Sequence, residues 1–168
     1  MISGSWSGFF QHVNLWKFFL NRGKSFRELK MLYNLVFAKK GTTMDIRKHS
    51  HNGSDIAEII SNDTLIQQAG DVNDLIGNLY YQGFEKVILY EKNLPQDFLD
   101  LKNGIAGEVL QKFSNYGMKL AIVGNFDKHD KKSTRDFIFE SNKTRHINFV
   151  NSLDEAVRRL SFYKKNNK

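Results

Sequence analysis

The chain has 168 residues, 40% of them hydrophobic and 26% charged, which is room for one domain with one core and an appendage. It contains no cysteine, which excludes a disulfide framework, a thiolate zinc site, a redox motif and a cysteine nucleophile together, and fits a reducing compartment. The net charge of +7 points to nucleic acid only until it is located. Residues 1–43 hold seven Lys/Arg against one acid, whereas residues 44–168 hold 18 against 17. A nearly neutral domain has no bulk field to draw a phosphate backbone, so no nucleic-acid partner is expected of it.

Residues 1–43 also carry Trp6, Trp16 and seven further aromatics without a clear period. Gln11, His12, Asn14 and Lys17 interrupt every apolar run, so neither a signal peptide nor a membrane span is read there. One reading is a basic amphipathic segment from Phe9 to Phe37 lying on a membrane surface. The favoured reading is a leader translated from a misplaced start. Lys39-Lys40-Gly41 must be encoded by a purine-rich run like a bacterial ribosome-binding site, and Thr42-Thr43 supply a spacer before Met44. No membrane partner is expected unless this segment is genuine.

From Met44 onward, Ile46 to Ser50 and Ile56 to Ile60 flank Asn52-Gly53, a strong short hairpin signal. Asp71 is expected to cap a helix with Val72, Leu75, Ile76, Leu79 and Tyr80 on one face, stopped by Gly83. Val87 to Tyr90 reads as a strand covered on both faces. Pro95 opens a helical turn from Gln96 to Leu101. A second helix carries Ala106, Val109, Leu110 and Phe113 inward and ends near Gly117, before a strand from Leu120 to Val123. Ser133 with Asp136 predicts a capping box for a third helix, with Phe137, Ile138 and Ser141 inward. Ile147 to Val150 is the last strand. Ser152 and Glu155 then cap a fourth helix carrying Leu153, Ala156, Val157 and Leu160.

This order predicts a single α/β domain over residues 44–163, with a frayed tail at 164–168. An N-terminal β-hairpin is followed by alternating helices and mostly parallel strands in two or three layers.

The run Asp97-Phe98-Leu99-Asp100-Leu101-Lys102-Asn103-Gly104-Ile105-Ala106-Gly107-Glu108-Val109-Leu110-Gln111-Lys112-Phe113 resembles the signature of domain of unknown function 4180, an uncharacterised bacterial family. Asn115-Tyr116, Leu120-Ala121-Ile122-Val123-Gly124, Arg135-Asp136-Phe137-Ile138 and Glu140-Ser141-Asn142 extend the likeness across Ile46 to Leu160. The order of elements is also similar to that of STAS domains, the fold of anti-sigma-factor antagonists and of sulfate-transporter tails. That resemblance implies a protein partner and a Ser/Thr phosphoswitch at the corner Asp100 to Gly104. The nearest matching position there is Asn103, which has no hydroxyl to phosphorylate.

Individual residues support mostly bland readings. Gly104 and Gly107 at a helix start could bind an anion, but Asp97, Asp100 and Glu108 crowd the corner, so glycines for close helix–sheet approach are favoured. Glu108 and Lys112 read as an i, i+4 surface pair. His49 and His51 face one side of a strand without further ligands nearby, so no metal site and no cofactor is assigned. Beyond the carboxyl ends of the strands lie Glu91, Lys92, Gly124, Asn125, Asp127 and Asn151, a candidate ligand edge by topology. No nucleophile–base–orienter set appears among them, and no catalytic residue is assigned.

The sequence therefore points to a cytoplasmic, non-catalytic, STAS-like regulatory or interaction module. Its partner is expected to be another protein, docking on Asp100, Lys102, Asn103, Gly104, Gly107, Glu108 and Lys112. The alternative is a small-molecule-binding or enzymatic domain using the carboxyl edge. The oligomeric state stays open.

Overall fold

The computed structural model describes residues 44–51 and 53–161. The leader at 1–43 and the tail at 164–168 lie outside the described residues. Five strands form one sheet: β1 (Asp45–His51), β2 (Ser54–Ile60), β3 (Lys86–Tyr90), β4 (Lys119–Val123) and β5 (Ile147–Val150). They neighbour one another in sequence order. β1 and β2 pair antiparallel, His51 opposite Ser54, so the two residues 52–53 make the hairpin connection; every other pair is parallel. The α/β reading and the antiparallel opening both hold.

Among the described residues, four helices accompany the sheet: α1 (Asp71–Tyr81), α2 (Ile105–Asn115), α3 (Lys132–Lys143) and α4 (Leu153–Ser161). The crossovers β2–α1–β3, β3–α2–β4 and β4–α3–β5 all step in one direction, so a constant crossover hand puts their helices on one face. Val72, Leu75 and Leu79 of α1, and Val109, Leu110 and Phe113 of α2, pack there on Ala57, Ile59, Val87, Leu89, Leu120 and Ile122. Phe137 and Ile138 of α3 close that core at Phe149. The alternate positions Ile56, Ile88, Ala121 and Val150 face the other way and are covered by Ala156 and Leu160 of α4. β2 to β5 are therefore covered on both faces where they are most apolar, as continuous apolar runs require, while the edge strand β1 stays largely exposed.

α1 and α2 end alike. Gly83 (φ 84°) and Gly117 (φ 66°) take the left-handed conformation, and Phe84 N and Met118 N donate back to Leu79 O and Phe113 O. This is the Schellman stop, which an L side chain would strain.

Two capping expectations are corrected. Asp71 is the first residue of α1, preceded by Gly70, and its carboxylate accepts from the N–H groups of Gln67 and Gln68 at 3.0 and 3.2 Å. It therefore closes the preceding turn. Ser133 lies inside α3, whose N-cap is Lys131 with no side-chain cap bond. Thr134 is the buried hydroxyl of that turn and donates to Leu99 O. At α4, Ser152 does cap, its Oγ accepting from Glu155 N at 3.2 Å, but the Glu155 carboxylate turns to Arg159 instead of back to the cap. The turn after Pro95 forms at Gln96–Leu99, followed by a 3₁₀ turn at Leu101–Asn103.

Candidate functional site

The corner before α2 is built by short polar contacts. Asp100 caps the 3₁₀ turn Leu101–Asn103, and its carboxylate also lies 3.8 Å from Lys131 Nζ. Asn103 Nδ2 donates to Asp97 O at 2.8 Å and to Asp97 Oδ2 at 3.1 Å, while its Oδ1 accepts from Ile105 N. Asparagine here is thus a two-way clamp. An aspartate would lose both donated bonds and stand beside the Asp97 carboxylate. Gly104 takes φ 74°.

Gly107 departs from the expectation of close helix–sheet approach. It is exposed, and a Cβ built on it would meet nothing within 4 Å. Lys102, Glu108 and Gln111 are exposed with it, and Lys112 Nζ reaches across to Asn73 Oδ1 on α1 at 3.3 Å. Lys112 therefore turns to Asn73 and ties α2 to α1, in place of the expected surface pair with Glu108.

At the carboxyl edge, Glu91, Gly124 and Asn125 come together. Glu91 Oε2 accepts from Asn125 N at 3.2 Å, and Oε1 lies 2.6 Å from Lys128 Nζ and 3.9 Å from His129 Nε2. A Cβ on Gly124 would stand 2.7 Å from both Glu91 Cβ and Oε2, and 2.9 Å from Phe126 Cζ. Gly124 is the gap that lets Glu91 fold over the loop after β4. Lys92 leaves this group, donating to Asn62 Oδ1 at 3.1 Å, and Asp127 is exposed.

The most concentrated chemistry lies where sequence reasoning assigned none, on the α4 face of β1, β2 and β3. Glu58 is 3% exposed. Its Oε1 accepts from the Tyr90 hydroxyl at 2.5 Å, and its Oε2 lies 2.8 Å from His49 Nε2 and 3.5 Å from Arg47 Nη1. Burial pushes the Glu58 carboxyl up, but the bonds from Tyr90 and His49 and the charges of Arg47 and His49 outweigh it and hold the group below its ordinary value. Burial and the Glu58 carboxylate push Tyr90 up to about 12. His49 and His51 share one face, as their alternation predicts, and line an open cavity of about 340 Å³ with Leu153, Val157 and Arg158 of α4. Among the described residues no group of three or more His, Cys, Asp or Glu is placed to hold a metal ion. The available signal was one acid in the apolar run Ile56-Ala57-Glu58-Ile59-Ile60.

On the same face, Lys86 and Lys119 stand opposite each other in the β3–β4 register. Lys86 Nζ donates to Leu160 O at 2.7 Å, satisfying a carbonyl at the end of α4. Burial, then the Lys86 charge, lowers Lys119 to about 8, against the pull of Glu85. Burial lowers Lys86 as well. A lysine whose folded pKa lies below its unfolded one makes the fold bear the cost of its charge at low pH. Stability should therefore rise between about pH 8 and 10 and fall again as pH drops through about 8. Thermal melts across that window check this, and Lys119→Met should remove most of the rise.

Among the described residues, no helix is long and apolar enough to cross a membrane. No curated protein and no solved structure matches the chain. The family model described as "Domain of unknown function (DUF4180)" matches residues 51–160, from the end of β1 through α4 and well over half of the chain, and the chain belongs to that family.

Proposed function

We propose that the domain is a regulatory protein-interaction module that binds its partner through the outer face of α2, in a bacterial cytoplasm. Gly107 carries this reading. A glycine inside a helix costs about 0.5–1 kcal/mol relative to alanine, and neither a left-handed backbone nor any neighbour within 4 Å requires one here. Room for something outside the chain is the use that remains. The resemblance of the sequence to STAS domains supports the same region, because in that reading the corner Asp100–Gly104 at the start of α2 is the partner-facing one. Asn103 offers no hydroxyl there, so binding is constitutive and not gated by phosphate. The rival reading, a ligand site at the carboxyl edge, has its main acid, Glu91, already engaged by Asn125 and Lys128.

Gly107→Ala is expected to stabilise the domain by about 0.5–1 kcal/mol in denaturant melts. Gly107→Arg should fold and yet capture less partner than wild type in co-purification from native lysate. Equal capture of the same proteins by wild type and Gly107→Arg would remove this face from the interface.

A further inference from the structure

We infer that Asn142 is an autoinhibitory contact on the β5 edge of the sheet: its carboxamide occupies the backbone groups with which β5 of a second copy of this chain would pair, and so bars edge-to-edge dimerisation. The direction of the β5 backbone comes first. Leu120 N donates to His146 O and Gly124 N to Val150 O, so the even-numbered residues of β5 turn their N–H and C=O groups toward β4. Ile147 and Phe149 alternate with them and turn theirs to the open edge. At Phe149 both groups are taken. Phe149 N donates to Asn142 Oδ1 at 2.7 Å, and Asn142 Nδ2 donates to Phe149 O at 3.1 Å. One donated and one accepted bond at the same residue are what an antiparallel neighbour supplies, so a single side chain near the end of α3 stands in for that strand.

Sheet edges are kept from pairing by lysine or other charges, by proline, by a bulge or by a cover. Beyond a length of only four residues, the sequence of β5 supplies no such protection. Ile147-Asn148-Phe149-Val150 has no charge and no proline, and its β-branched and aromatic residues favour strand pairing. The opposite edge is managed differently: β1 is seven residues long, and Arg47 and Lys48 stand on it more than half exposed. Two copies of β5 set antiparallel about Asn148 would place Ile147 opposite Phe149 in both directions, an uncharged and self-complementary pairing. The turn that returns the chain to β5 also holds the guard in place. Arg145 takes the left-handed backbone (φ 55°), uncommon for an arginine, and its N–H donates to Asn142 O at 3.4 Å. Arg145 O in turn accepts from Asn148 Nδ2 at 3.3 Å, which fixes the turn against β5.

The experiment uses the full chain, as wild type and as two variants. Asn142→Leu keeps the side chain's size and removes both bonds. Light scattering behind gel filtration should show its mass rise with concentration to twice that of the wild type. Asn142→Asp keeps an acceptor for Phe149 N and sets a charge on the edge, so its mass should follow the wild type. Circular dichroism establishes that each variant is folded. Equal masses of wild type and folded Asn142→Leu at every concentration overturn the inference. So does association of Asn142→Asp as strong as that of Asn142→Leu, or growth of Asn142→Leu past a dimer, since a two-fold edge pair closes. A measurement on the wild type alone decides the matter if Asn142→Leu does not fold. Amide hydrogen exchange should find Phe149 N–H slower than the equally outward N–H of Ile147, and equal rates overturn the inference. None of these readouts touches the outer face of α2, so this inference and the proposed partner site stand or fall separately.

Discussion

Replacing Phe113 by alanine is expected to unfold the domain or bring it to the edge of unfolding. Phe113 is 0% exposed and sits at the end of α2's inner stripe, in the core shared with α1 and the sheet. Its carbonyl also accepts the Met118 N–H that closes the helix at Gly117. Removing a buried aromatic ring costs about 3–5 kcal/mol through lost transfer energy and the cavity left behind. A domain of this size commands only about 5–15 kcal/mol in all. Lys112→Ala, one residue away, removes a single half-buried contact to Asn73 and should cost less than about 1 kcal/mol. Urea melts of the two variants followed by circular dichroism decide the matter. Similar midpoints would show that the inward phase of α2 is wrong.

The second large effect is expected at Gly124. A valine there would drive its Cβ to 2.7 Å from Glu91 Cβ and 2.9 Å from the Phe126 ring, distances that real side chains do not adopt. Phe126 cannot yield easily, because its ring packs edge-on against Phe149 at 5.2 Å. Overpacking of this kind costs about 1–3 kcal/mol, and displacing Glu91 also breaks its bonds to Asn125 N and Lys128. Gly124→Val should thus lower the melting temperature clearly. The loss should shrink in a Glu91→Gly background, where the nearest obstruction is gone. An unchanged loss in that background would place the strain at Phe126 alone and free Glu91 for another role.

The two candidate surfaces were legible in sequence to different degrees. The α2 corner was visible because its residues lie close in sequence: Asp100, Asn103, Gly104 and Gly107 fall within eight residues. Their roles were not visible. Gly107 looked like a packing glycine, and only the direction of its missing Cβ shows that it faces outward. The carboxyl edge followed from topology, yet topology says nothing of whether Glu91 points at solvent or closes over the Gly124 loop. The Glu58 cluster escaped altogether, since Arg47, His49, Glu58 and Tyr90 come from three strands and meet only through the β1–β2 and β2–β3 register.

What the sequence determined by itself was the set of elements and their inward faces. Periods of 2 and 3.6 record which side of each strand or helix is buried, and Gly53, Gly83 and Gly117 mark where elements stop, because their left-handed backbone conformations tolerate few residue types. Local chemistry of this kind is written in neighbouring residues. The tertiary structure decided what depends on pairing and direction: the sequential strand order, the three crossover helices on one face with α4 on the other, the failure of Ser133 as a cap, and the burial of Glu58 between Tyr90 and His49. Those outcomes turn on which distant groups come within about 3 Å of each other, a distance set by register and packing that no single segment encodes.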